Sequence, residues 1–345
     1  RQVDPDNTKL RALLHRMVDS GGWRLLWTPP SMPYYRPSVG PYTDPDLRDY
    51  TKALVFSCWL VVPKAIAMLC SYEAERRAVL SSEQSPEYGQ ISRRRRNLLR
   101  FALSNDRLTG MSNFALLYPC LSLARQIDPL VIADELSEDG LPEQQAVLSA
   151  VRQRIEPLLR PVLREFSGPS ARVDEAWYWA APLLIDRLHC REDVQEWLDI
   201  KWGELAWDGL VESRKEGEDR FREHLEQLRR RFLSDHQLGR PPEDLLDVLA
   251  AMATASPAVA ALRSLLRQCS DKTVSPEVLW AAGRIAMGFR TLFNLPQSIT
   301  AIRTPDSDGD EAYYWRRALD YCAAGNLQSV LDEYFHVLRE SLGLI

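Results

Sequence analysis

The chain has 345 residues, 45% of them hydrophobic and 26% charged, with 22 prolines and 16 glycines. That composition is ordinary for a globular protein and excludes a collagen, a low-complexity disordered chain and a disulfide scaffold; the length suits two domains, or one domain with a large insertion. Forty-three basic residues against 48 acidic ones leave a net charge of −5, so whole-chain charge does not mark a nucleic-acid binder and only a local patch could.

The sequence opens at Arg1 with RQVDPDNTKL, which is no targeting segment, and is expected to be a piece of a longer protein. Residues 8–20 place Leu10, Leu13, Leu14 and Met17 at helical spacing, and Gly21-Gly22 ends the run. Residues 23–27 are a short strand candidate stopped by Pro29 and Pro30. Residues 28–50 are too rich in proline for helix and read as an extended lead-in.

Residues 53–56 form a short apolar run of the buried-strand kind. Ser57-Cys58 turns the chain, and residues 59–77 read as a helix with Pro63 in its first turn, where a missing N–H does no harm. Ile66, Leu69 and Cys70 are expected to face inward, and Glu73, Glu75, Arg76 and Arg77 to form a charged end. Strand, tight turn and helix are half of a βαβ unit. Ser57, Pro63 and Lys64 interrupt the most apolar stretch, 53–70, so it reads as a core segment and not as a membrane span.

Residues 98–103 and 114–118 are two further strand candidates. Beyond residue 121 nothing alternates with period two, and the remainder reads as helix. Residues 144–166 carry one apolar face, with kinks expected at Pro157 and Pro161. Residues 218–233 carry Phe221, Leu225, Leu228 and Phe232 on one face. Ser275-Pro276-Glu277 is a helix start, and a last helix runs from about Asn326.

The chemical motifs are mostly missing. No Lys follows a Gly, so there is no phosphate-binding Gly-Lys-Ser/Thr loop. The five histidines stand apart and read as surface or packing residues. Asp306, Asp308 and Asp310 suggest a calcium loop, but Gly309 falls fourth and Arg317 twelfth, where such a loop needs Gly sixth and Glu twelfth. No two of the six cysteines lie closer than 12 residues, which excludes Cys-x-x-Cys pairs and reads as scattered, reduced, buried thiols of a cytoplasmic protein. No catalytic residue and no metal ligand is assigned. Five of the ten tryptophans (177, 179, 197, 202, 207) crowd into 31 residues, for core packing or for stacking on bases. Only six basic residues are Lys; a genome that favours Arg codons accounts for that bias simply. Within it, Arg93-Arg94-Arg95-Arg96 with Arg100 is the densest positive feature. If helical, it puts Arg93, Arg96 and Arg100 on one face. That face would neutralise phosphates, or pair with acids such as Glu73 or Glu83, or stay in solvent.

With these residues in view, TKALVFSCWLVVPKAIAMLCSYEAERR at 51–77 resembles the opening of the second RecA-like lobe of superfamily 2 helicases, especially large bacterial helicase-like proteins of the Snf2 type. LLWTPPSMPYY at 25–35 is similar to the lead-in to that lobe. SNDRLTGMSNFALLYPCLSLARQIDP at 104–129, FRTLFNLPQ at 289–297 and YCAAGNLQSVLDEYFHVLRE at 321–340 are similar to parts of a helical insertion within it. The resemblance implies a mostly α chain with a small α/β portion: a partial RecA-like lobe at 1–125 and a helical insertion at 126–345. It implies an ATP-driven nucleic-acid helicase or translocase as the parent, using ATP and magnesium. The nucleotide loop, the acidic motif and the arginine-finger motif would lie outside residues 1–345, leaving this part catalytically inactive alone. Its partners would be nucleic acid, DNA ahead of RNA, and the remaining lobes, with no membrane. The family's turn after the lobe's first strand touches the nucleic-acid backbone, and the matching positions are Ser57, Cys58 and Trp59. Ser57 would also cap the following helix. The rival expectation is a helical protein-interaction scaffold without nucleotide chemistry.

Overall fold

The computed structural model describes residues 5–26, 32–47, 50–51, 53–80, 98–104, 107–137, 140–199, 215–269, 274–302 and 313–342. It is mostly helical. Helix α1 (Thr8–Leu14) continues as a π-helical stretch (His15–Asp19), and Asn7 caps it by accepting from the N–H groups of Lys9 and Leu10. The region expected as a strand at 23–27 is instead a 3-10 turn, Gly22–Leu25. Gly21 and Leu26, with φ of 90° and 48°, bracket it in left-handed conformations that a strand cannot contain.

Helix α2 (Val61–Leu80) follows, as the sequence leads one to expect. The strand before it does not form. Residues 53–56 are neither strand nor helix, and Leu54 and Phe56 are 82% and 88% exposed. A strand needs a neighbour to take its backbone groups, and no hydrogen bond to residues 53–56 exists among the described residues. The segment 53–70 is therefore not core: Trp59, Leu60, Val61 and Met68 also face solvent.

The one sheet among the described residues is a two-stranded antiparallel hairpin, β1 (Ala102–Ser104) with β2 (Arg107–Thr109), in which Leu103 pairs with Leu108. It lies within the segment expected as a strand at 98–103 only in part. The second candidate, 114–118, is a helical turn, α3 (Phe114–Leu117). All four of its residues are buried, and a short uniformly apolar run fits a buried strand or a buried helix equally well. Gly110 makes the corner before it: at φ 98°, a Cβ there would sit 2.2 Å from the Arg100 carbonyl oxygen. These strands therefore do not assemble a parallel α/β sheet among the described residues.

The rest is helix. In order come α4 (Leu121–Gln126), α5 (Pro129–Leu136), α6 (Gln144–Phe166), α7 (Trp177–His189), α8 (Arg191–Asp199), α9 (Lys215–Leu233), α10 (Leu245–Ala255), α11 (Pro257–Gln268), α12 (Pro276–Phe293), α13 (Pro296–Ile302), α14 (Tyr314–Ala324) and α15 (Leu327–Leu342). Pro129, Pro257 and Pro276 open their helices, where the lost N–H is an orphan in any case. Pro157 and Pro161 lie inside α6. Helix α11 is the centre: residues 257–264 are buried without a break, so it has no solvent face in its first two turns. Around it pack α4, α10, α12 and α15, and α6, α7 and α14 pack on α10. Helices α10 and α11 form a pair bent by 42° whose length and composition alone would pass for a broken membrane span; both lie in the buried core, and among the described residues no single helix is long and apolar enough to cross a membrane.

Buried polar groups lock this packing. Arg263, in α11, donates to the terminal carbonyls of two other helices: Leu123 (3.4 Å) and Ala124 (3.3 Å) of α4, and Ala253 (2.6 Å) of α10. Asp186 of α7, fully buried, accepts from the N–H groups of Leu121 (2.9 Å) and Ser122 (2.7 Å) and from Tyr118 Oη (2.9 Å), capping α4 from across the core. Burial pushes the Asp186 carboxyl up, and these donors oppose that rise. Asn326, left-handed at φ 49°, is the turn between α14 and α15 and not the first residue of the last helix; its amide clamps the lead-in through the N–H of Tyr34 (3.0 Å) and the carbonyl of Tyr35 (3.0 Å). One buried cluster runs from Tyr35 and Leu99 to Phe335, straight across residue 125.

Candidate nucleic-acid interface and apolar arm

Residues 5–26 and 50–80 form an arm with its own small core: Leu14, Met17, Val18 and Ala74, with Trp23, Tyr50, Ala53 and Cys70 packed on it. Helix α13 packs against α2 and joins the arm to the body. Ile66, Leu69 and Cys70 are half-buried, in keeping with an inward face. Glu73 departs from the sequence reading of a charged end, since it is buried at 2% exposure. Its carboxylate is held by Arg76 (2.8 and 2.5 Å) and Arg77 (3.0 Å), and Arg77 reaches on to Asp19 (2.5 Å). A buried charge needs such partners. Glu73 thus takes its described arginines from its own helix.

The outer face of α2 is different. Val61, Met68 and Tyr72 recur at spacings of seven and four and are exposed, with Lys64 between them. They continue the bare run Leu54, Val55, Phe56, Trp59, Leu60 into one apolar surface at the start of the helix. Composition carries no signal for this exposure, because the same residues would read identically in a core.

Ser57, Cys58 and Trp59 sit together within this surface, all three exposed. Ser57 Oγ accepts from the Trp59 N–H at 3.1 Å, a local cap at the entrance to α2. Trp59, 71% exposed, offers an aromatic face, and Cys58 is an exposed free thiol. Arg93 and Arg96 lie outside the described residues. Arg100 is exposed and has no ion pair among them. It stands in an irregular stretch, 98–101, so the helical face that would align it with Arg93 and Arg96 does not extend to it. Its carbonyl, not its side chain, is the fixed part, accepting from Asn113 Nδ2 at 3.1 Å. No hydrogen bond or ion pair joins Ser57, Cys58 or Trp59 to Arg100 among the described residues.

Trp177, Trp179 and Trp197 are buried, which favours packing over base stacking for them; Trp202 and Trp207 lie outside the described residues. Of the cysteines, Cys120 and Cys322 are buried, but Cys58 and Cys269 are exposed, against the expectation of uniformly buried thiols. Among the described residues no cluster of His, Cys, Asp or Glu could hold a metal ion. Asp306, Asp308 and Asp310 lie outside them. One arrangement that the sequence did not signal is the pair Arg187 and Arg231, more than 30 residues apart, which converges on Phe166.

Compared with protein-family models, with curated proteins and with solved structures, the chain matches none.

Proposed function

We propose that this chain is part of an ATP-dependent nucleic-acid helicase or translocase, supplying the opening strand and helix of its second motor lobe together with a helical accessory region. What supports this is the resemblance of residues 51–77 to the opening of that lobe, with helix α2 in the expected place; the exposed run at 54–56, unpaired among the described residues, counts against it. A strand inside a parallel sheet is apolar on both faces and hydrogen-bonded on both edges. Residues 54–56 have side chains suited to that place, and their backbone groups have no partner among the described residues. Left in water, an apolar surface of this kind is an aggregation liability. The motor assignment stands only if strands from polypeptide outside residues 1–345 cover it, because within the chain the segment is exposed. Covered in that way, Ser57, Cys58 and Trp59 would stand at the sheet's edge beside the first turn of α2, where free N–H groups and the helix dipole favour a phosphate. ATP and magnesium belong to the parent protein, since the chain has no Gly-Lys-Ser/Thr loop.

The same bare run would also serve a scaffold that docks on a protein partner without nucleotide chemistry. The experiment that separates the two extends the reading frame beyond both ends of the chain and measures ATP hydrolysis with and without DNA. The longer protein should hydrolyse ATP under stimulation by nucleic acid, and the 345-residue chain should not. Phe56→Asp in the longer protein should abolish the stimulated rate while the helical body melts unchanged. A longer protein with no nucleic-acid-stimulated hydrolysis rejects the motor and leaves the scaffold.

A further inference from the structure

Arg187 lies near the end of α7 and Arg231 near the end of α9, and their guanidinium carbons approach the Phe166 ring centre at 5.1 and 5.7 Å. Both residues are buried, at 8% and 6% exposure. Each uses one nitrogen to close the chain after α9: Arg187 Nη1 donates to the Ser234 carbonyl (2.5 Å), and Arg231 Nη1 to the His236 carbonyl. Capping accounts for those two nitrogens and for no others. Arg187 Nη2 is held by the carboxylate of Asp235, a loop residue whose side chain is 88% exposed. Arg231 Nε and Nη2 are buried with no hydrogen-bond partner among the described residues. Asp174 lies close enough to act on Arg231 by charge, but its two oxygens already accept from the N–H groups of Ala176 (3.0 Å) and Gly239 (3.1 Å).

The Nε/Nη2 edge of an arginine is the fork that grips a phosphate or carboxylate two-pronged. A buried charged group with two donors unmade is costly, and such a group calls for a partner. We infer that Arg187 and Arg231 form an anion site for a phosphate group, in which the exposed carboxylate of Asp235 stands where one edge of the phosphate would bind. Entry requires only the exposed Asp235 side chain to leave Arg187 Nη2, with the Ser234 and His236 carbonyls staying on the two Nη1 atoms. The phosphate takes the open fork of Arg231 and the Nη2 of Arg187, and no bond is made or broken. This inference is independent of the motor assignment, because the pair lies in the helical body.

The test is a titration of the chain with inorganic phosphate against sodium chloride at matched ionic strength, followed by calorimetry and by melting. Phosphate should bind and raise the melting temperature where chloride does not. Asp235→Asn should tighten phosphate binding several-fold by removing the internal competitor, and Arg231→Met should weaken it roughly tenfold or more. Arg231→Lys, which keeps charge but loses the fork, should also weaken it. If Arg231→Met fails to fold, the Asp235→Asn arm decides alone, since its change is on an exposed loop. A second arm adds a short single-stranded oligonucleotide. Competition with inorganic phosphate identifies the source as a nucleic-acid backbone; phosphate binding without competition identifies a small phosphorylated molecule. No phosphate-specific response, an affinity unchanged in Asp235→Asn, or an affinity retained in a folded Arg231→Met would overturn the site.

Discussion

The arm and the body draw on the same residue types and end up differently covered. In the body, α11 runs through eight successive buried positions, and even its arginine, Arg263, is fully enclosed and bonded to carbonyls of two neighbouring helices. In the arm, α2 is just as apolar at its start, yet Val61, Met68 and Tyr72 face water and only the far side meets a small core. The difference lies in the neighbours and not in the helices. Helix α11 is ringed by α4, α10, α12 and α15, whereas the main described neighbours of α2 are α13 and the turns of the N-terminal segment. An apolar helix stabilises a fold only through the surface it removes from water. Among the described residues the body covers its apolar helices and the arm leaves one face of α2 exposed.

Substitutions can break this comparison at either end. The largest effect is expected in the body. Trp177 is fully buried and its Nε1 donates to the Gly239 carbonyl at 2.8 Å. Trp177→Ala should cost about 3–5 kcal/mol, read from chemical unfolding. Arg263→Met follows: it removes the guanidinium from the terminal carbonyls of α4 and α10 and should cost about 2–3 kcal/mol, since buried acceptors are left without donors. A loss under 0.5 kcal/mol would mean that water or a repacked side chain replaces it.

Smaller and local is the effect expected in the arm's own core. Glu73→Gln leaves Arg76 and Arg77 without their buried carboxylate, and, with both arginines partly solvated, should cost about 1–2 kcal/mol. Amide exchange should quicken along α2 and stay unchanged along α11. An equal effect on both would merge the two regions into one cooperative unit. Smallest is the effect on the bare surface. Leu54→Ser, Phe56→Ser and Leu60→Ser should each alter stability by no more than about 0.5 kcal/mol, while reducing self-association on a sizing column. A cost of 2 kcal/mol at any of them would show that the surface is buried in solution.

Much of the body is legible in the sequence. The stripes of α6 and α9, the Ser-Pro-Glu start of α12 and the helical character beyond residue 121 follow from spacing and from where proline loses nothing. Short apolar runs were not legible. Residues 53–56 and 114–117 look alike on the page; one is an exposed segment and the other a buried helical turn, because the first lacks strand neighbours and the second is enclosed by the corner at Gly110 and by α11 and α12. The polar keystones were equally silent. Asp186, Arg187 and Arg263 sit in helical patterns as ordinary charged residues, and their roles come from carbonyls and amides of Leu121, Ser234 and Ala124, which are distant in sequence.

The sequence by itself determined periodicity in the long segments: that the chain beyond residue 121 is helical, where proline allows those helices to begin, and that no nucleotide loop is present. Only the tertiary structure decided burial: that Glu73 is inside and Phe56 outside, that Arg100 stands off any helix, and that two arginines distant in sequence meet at Phe166. The physical reason is range. Helix formation is settled within about four residues by steric fit and hydrogen bonding. The burial of an apolar face or a charge is settled by whichever element arrives to cover it, and that element is specified elsewhere in the chain or by another polypeptide.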